Sequence, residues 1–148
     1  ALAASCVASV AACTEPQPSG SPPDNLSRTF FDAQVYPVLL RDCSFPACHA
    51  DPGRFLRIPG PGRTRISDDF GLSEPPAPEE LQLAFDRSLS MLASSEDCLD
   101  SLFLRKPVEI DAGGASHKGT DASGRDIYAN FDDPSFIILR QWACGEVP

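Results

Sequence analysis

The sequence predicts an all-α fold of about three helices joined by long irregular loops. Three segments place apolar residues at helical spacing, and the stretches between them are rich in proline and glycine. The chain has 148 residues, of which 42% are hydrophobic, and this suits one domain with a buried core. We expect residues 1–25 to form an apolar segment followed by a Pro/Ser tether, and residues 26–148 to form the domain.

The first predicted helix covers residues 27–42, and Asn25 or Ser27 can cap its start. Pro37 should kink this helix or divide it in two, because proline lacks the amide donor and crowds the preceding turn. The apolar residues at helical spacing are Phe31, Val35, Val38 and Leu39.

The second and third predicted helices follow a long loop over residues 50–78, in which prolines and glycines leave little room for regular structure. The second begins at Pro78 and extends to about Ser95. The third begins at Pro134, after an Asp cap, and stops at Gly145.

The charge of the chain limits its partners. The formal net charge is −9, so nucleic acid and anionic membrane surfaces should be repelled, and a basic protein partner is favoured. No apolar run approaches the roughly 20 residues that a membrane-spanning helix needs. Motifs for phosphate binding or for serine or cysteine hydrolysis do not stand out.

The six cysteines favour an exported protein in which some thiols pair as disulfides. We expect a bond between Cys98 and Cys144, the alternative being two buried thiols that act as small hydrophobes. Cys6 and Cys13 could close a small disulfide loop.

Residues 1–13 are small and apolar and resemble the end of an export signal. Val10-Ala11-Ala12-Cys13 also resembles a bacterial lipoprotein cleavage box, in which Cys13 is lipidated. The alternative is a retained segment that packs on a neighbouring subunit. In either case we expect an exported protein, periplasmic or at the cell surface or extracellular, and the lipoprotein interpretation would give it a lipid anchor as its only membrane contact.

The most informative motif is Cys43-Ser-Phe-Pro-Ala-Cys48-His49. Two thiols can form thioethers with a haem, and the imidazole next to the second thiol can ligate its iron. The usual attachment motif has two residues between the cysteines, whereas this one has four, so the loop must bulge. A local disulfide or half of a zinc site are the alternatives.

Basic charge concentrates in the loop that follows the motif. Guanidinium groups suit carboxylates, so these arginines are candidates to hold haem propionates, with solvated surface residues as the alternative. They are Arg54, Arg57, Arg63 and Arg65.

Four segments in this order resemble the monohaem c-type cytochrome domains of planctomycetes and myxobacteria. They are FDAQVYPVLLRDCSFPACHA, SLFLRKP, GGASHKG and YANFDDPSFIILRQWACG. The resemblance covers roughly residues 30–145 and rests on the order of the segments more than on any one motif. It implies a cytochrome c-like fold around one covalently bound haem c.

The resemblance also implies roles for single residues. Cys43 and Cys48 would form the thioethers, His49 would be the proximal iron ligand, and His117 would be the distal one, giving bis-histidine ligation. Met91 is the alternative distal ligand, and an open iron face is a further one. An apolar haem pocket is expected from Leu102, Leu104 and Trp142.

These features favour an exported carrier of single electrons that exchanges them with redox proteins and is not an enzyme. A peroxidase or sensor with an open haem face is one alternative. A structural or filament-forming haem subunit, assembled from copies of the chain, is another. A disulfide- or zinc-stabilised exported module without haem is the third.

Overall fold

The computed structural model describes residues 22–117 and 126–147. The expectations for the N-terminal segment, including those for Cys6 and Cys13, therefore lie outside the described residues. Within the described ranges the chain is mainly helical with long loops, as predicted, and a parallel bridge between Val108 and Tyr128 is the only β pairing there. No helix in this part of the chain is both long and apolar enough to cross a bilayer.

The first helix has the interruption that Pro37 predicts. It consists of α1 (Arg28–Phe30), a π-helical turn (Phe31–Val35) and α2 (Tyr36–Asp42). The Ser27 side chain caps the start of α1. Pro37 cannot donate an amide hydrogen to the preceding turn, and the wider π-helical turn lies where that bond would be missing.

The remaining helices are α3 (Pro78–Leu92), α4 (Leu102–Arg105) and α5 (Pro134–Ala143). The second predicted helix thus ends three residues before the predicted Ser95, and the third agrees with its prediction. The single turn α4 was not predicted. Two 3₁₀ turns flank it, at Cys98–Asp100 and Ile110–Ala112.

An aromatic cluster joins the first helix to α3, α4 and α5. Trp142 is fully buried at its centre, with ring centroids 4.8 Å from Phe31, 5.8 Å from Phe85 and 5.6 Å from Phe103. The Trp142 Nε1–H donates to the Ser27 carbonyl at 3.1 Å. Each contact is in the range that favours aromatic pairs, so the cluster holds the two ends of the domain together.

A disulfide between Cys98 and Cys144 confirms the predicted pairing, with a Cα–Cα distance of 5.4 Å. It joins the 3₁₀ turn before α4 to the residue that ends α5. The covalent link therefore fixes α4 against the C-terminal helix.

Candidate cofactor site

An apolar cavity of about 340 Å³ lies between the Cys43–His49 turn and the region of α4. Polar groups that line it are few, and they include both thiols and both imidazoles of the predicted site. The larger apolar residues of its wall are Leu39, Phe45, Leu56, Met91, Leu102, Phe103, Ile127 and Leu139. A cavity with apolar walls and a few convergent polar groups is the usual form of a cofactor site.

The backbone of the Cys43–His49 turn folds back on itself. The His49 amide donates to the Cys43 carbonyl at 3.1 Å, and the Phe45 carbonyl accepts from the amides of Cys48, at 2.8 Å, and Ala50, at 3.2 Å. These bonds bring the ends of the turn together, so that both thiols line the same cavity despite the four residues between them.

The bulge expected from the four-residue spacing points outward. Ser44 is fully buried, and its hydroxyl donates to the Ile58 carbonyl. Phe45, Pro46 and Ala47 are exposed, and the Arg63 guanidinium lies 4.6 Å from the centroid of the Phe45 ring. These three residues therefore form a surface loop, and Phe45 also lines the cavity.

Cys43 and Cys48 are free thiols, so the alternative of a disulfide between them is not what the structure shows. Burial, and next the neighbouring Asp42 carboxylate, raise the pKa of the Cys43 thiol to about 12. Within residues 22–117 and 126–147, no group of three or more His, Cys, Asp or Glu side chains is arranged to hold a metal ion.

His49 is oriented by the backbone. Its Nδ1 lies 2.7 Å from the Leu56 carbonyl oxygen, to which a protonated Nδ1 donates. Burial lowers the pKa of His49, and the bond to Leu56 opposes this only in part. A neutral ring with its hydrogen on Nδ1 keeps the Nε2 lone pair for a metal ion, and such a bond to a carbonyl typically orients an imidazole ligand.

His117 lies opposite His49 across the site. The two ring planes are inclined by only 15°, and the ring centroids are 6.0 Å apart. A metal–imidazole bond is about 2.0–2.1 Å long, so two imidazoles on opposite sides of one metal ion have ring centroids about 6 Å apart. The separation of the two rings is therefore the one expected if a single metal ion lay between them.

A carboxylate lies behind His117. Asp126 Oδ1 is 3.9 Å from His117 Nδ1, and both atoms are buried with no hydrogen-bond partner among the described residues. Buried polar atoms are rarely left unpaired. Asp126 was not among the predicted site residues, and the sequence between it and His117 gives no indication of this approach.

The other predicted pocket residues divide between the cavity and the core. Met91 and Leu102 line the cavity. Leu104 and Trp142 are fully buried in the core and are not among the residues of the cavity wall. Residues two positions apart lie on nearly opposite faces of a helix, so Leu102 and Leu104 point to different sides of α4, and only Leu102 lines the cavity.

None of the four arginines proposed for propionate binding lines the cavity. Arg65 forms a buried ion pair with Glu80. The side chains of Arg54, Arg57 and Arg63 donate to backbone carbonyls instead. The charged residues that do line the cavity are Lys106 and Asp42. The Lys-Pro pair at the end of SLFLRKP was part of the resemblance, but no function was predicted for its lysine.

The fold and the site define a class: a helical protein with two thiols and two imidazoles in one apolar cavity. Comparison with protein-family models, curated proteins and solved structures finds no match. The functional argument therefore rests on the geometry of the site.

Proposed function

We propose that this protein is a monohaem c-type cytochrome that carries single electrons. The observation that carries the proposal is the pair of near-parallel imidazoles, with centroids 6.0 Å apart, in an apolar cavity that two free thiols also line. In this proposal His49 and His117 would hold the iron, and Cys43 and Cys48 would form the thioethers. The order of helices, with α2 leading into the motif and α5 closing the chain, supports a cytochrome c-like fold.

The donor set fits this cofactor. Each free thiol can add across one vinyl group, its sulfur bonding to one carbon and its hydrogen passing to the other, so the step consumes no oxidant. The walls are apolar, as the face of a porphyrin requires, and the two imidazoles that line the cavity would supply nitrogen ligands to the iron. Haem c would supply a one-electron couple.

The residues of the chain would set the properties of that couple. The Leu56 carbonyl fixes the orientation of His49, and the apolar side chains exclude water from the site. Ligation by two imidazoles favours a lower reduction potential than ligation by methionine, because a thioether stabilises the reduced iron. No side chain has to perform acid–base or nucleophilic chemistry in this function.

Export and a basic redox partner complete the proposal. The Cys98–Cys144 disulfide suits an oxidising compartment, and covalent haem attachment would take place in the same one. The net charge of −9 should steer a positively charged partner to the protein and make the association depend on salt.

The test is to express the chain together with a haem-attachment system and to measure its intact mass and its reduced-minus-oxidised spectrum. We expect the added mass of one haem and a low-spin c-type spectrum. Cys43→Ala with Cys48→Ala should abolish the covalent haem, whereas Met91→Leu, the matched change at another cavity residue, should retain it. A wild-type chain that takes up no covalent haem under these conditions would refute the proposal.

A further inference from the structure

We propose that Lys106 binds a haem propionate, a role that rests on the proposed function. Haem carries two propionates, and in an apolar cavity of an acidic protein these carboxylates need a positive partner. Among the described residues, Lys106 is the only Lys or Arg that lines the cavity.

The ammonium group of Lys106 is available for this role. Its Nζ donates to the Ser116 carbonyl at 3.3 Å, which uses one of three donors. The residue is partly buried, and its aliphatic stem can cover apolar wall while its charged end stays near water. Two donors therefore remain for a carboxylate at the cavity.

Asp42, the other charged residue that lines the cavity, lies next to Cys43, one of the two thiols that would hold the vinyl edge. Asp42 precedes Cys43, is held by Arg41 at 2.6 Å and accepts from the Tyr128 hydroxyl at 3.0 Å. The vinyl and propionate groups occupy opposite edges of a haem. If Cys43 and Cys48 hold the vinyl edge near Asp42, the propionate edge is turned away from that carboxylate, toward a residue from another segment.

The experiment compares Lys106→Met and Lys106→Gln with Lys106→Arg, and uses Arg63→Gln as a control outside the cavity wall. All four should retain covalent haem by mass. Loss of the positive charge should lower the reduction potential and raise the pKa of the propionate, seen as a shift in the pH dependence of the potential. Lys106→Arg should restore both quantities, and Arg63→Gln should change neither.

The outcomes separate the two proposals. If the wild-type chain carries no covalent haem, the proposed function fails. If the variants carry haem and the neutral ones leave the propionate pKa unchanged, the assignment of Lys106 fails while the function stands. If the neutral variants lose haem, the test uses the wild-type protein instead. Its propionate pKa is compared with that of a proteolytic haem peptide that contains Cys43–His49. A propionate pKa that is no lower in the protein than in the peptide overturns the assignment of Lys106.

Discussion

Arg65 and Glu80 form a buried, two-pronged ion pair. Arg65 Nε and Nη2 donate to the two Glu80 carboxylate oxygens at 2.9 Å each, and their side chains are 4% and 0% exposed. The carboxylate also accepts from the amides of Ile66 and Ala77, each at 3.0 Å. The pair therefore fastens the long loop to the first turn of α3.

Removal of Glu80 from its buried pair with Arg65 should lower the free energy of unfolding more than removal of one partner from an exposed ion pair. We expect Glu80→Ala to lower the free energy of unfolding by about 3–5 kcal/mol, because it leaves a buried guanidinium without its charge partner. The control is Asp100→Ala at the exposed pair with Arg105, which should cost about 0.2–1 kcal/mol. Urea unfolding followed by circular dichroism measures both, and equal losses would contradict the argument.

The same carboxylate should make stability depend on acid. Burial alone would raise the pKa of Glu80, but the Arg65 guanidinium and two backbone amides outweigh it, so that pKa lies below its ordinary value. Its stabilisation is then fully present above the unfolded pKa of about 4.3 and is lost as pH falls through the lower folded pKa. The stability difference between wild type and Glu80→Gln should accordingly shrink as the pH is lowered below about 4. Urea titrations across this range check it, and a constant difference would argue against the assignment.

In the proposed haem protein, His117→Ala should leave the haem attached but change its ligation. Cys43 and Cys48 would form the thioethers, whereas His117 would supply one of the two imidazoles, so the low-spin bis-histidine spectrum should be lost. Met91 lines the same cavity, and its replacement of the imidazole would raise the reduction potential. Met91→Leu is the matched control and should keep the wild-type spectrum. An unchanged low-spin spectrum in His117→Ala would exclude His117 as the ligand.

Gly114 should not tolerate a side chain. A methyl group there would overlap the Val108 carbonyl and lie 2.8 Å from the Glu109 carbonyl oxygen, and neither is a flexible side-chain end. Since His117 follows three residues later, we expect Gly114→Ala to cost about 1–3 kcal/mol of stability and to weaken distal ligation. Gly71→Ala is the comparison, because it meets only the Glu74 side chain, at 3.2 Å. Thermal unfolding and the haem spectrum report the two effects.

The disulfide should contribute measurably to stability. Cys98→Ser with Cys144→Ser opens a link across 46 residues, and loss of a native disulfide typically costs about 2–5 kcal/mol. Non-reducing peptide mapping should show the Cys98–Cys144 pair in the wild type. A pairing of either residue with Cys43 or Cys48 would contradict the structure.

Local patterns were sufficient to predict most of the fold. Helical spacing and proline position gave the first helix with its interruption, as well as α3 and α5, because these depend on neighbouring residues. α4 has only one turn, too short for a periodic pattern to appear. Its faces could not be assigned either, so Leu104 was placed in the pocket although it lies in the core.

The site was less accessible to prediction from local patterns. His49 and its thiols form one continuous motif, but the proximity of His117 was expected only from the resemblance, since its own surroundings favour a solvated loop residue. The arginines were predicted from charge alone, and long side chains choose partners that are distant in sequence, such as Glu80 for Arg65. The approach of Asp126 to His117 is likewise a result of tertiary packing.

The outward bulge of the Cys43–His49 turn offers a place from which to observe the site. Its backbone bonds close the turn without help from the side chain of Ala47, which is exposed. A substitution there should leave the thiols and the imidazole where they are. A fluorophore or spin label attached at position 47 would then lie close to the cavity and change its signal when a cofactor binds there. The two additional residues of this motif therefore provide a labelling position for spectroscopy.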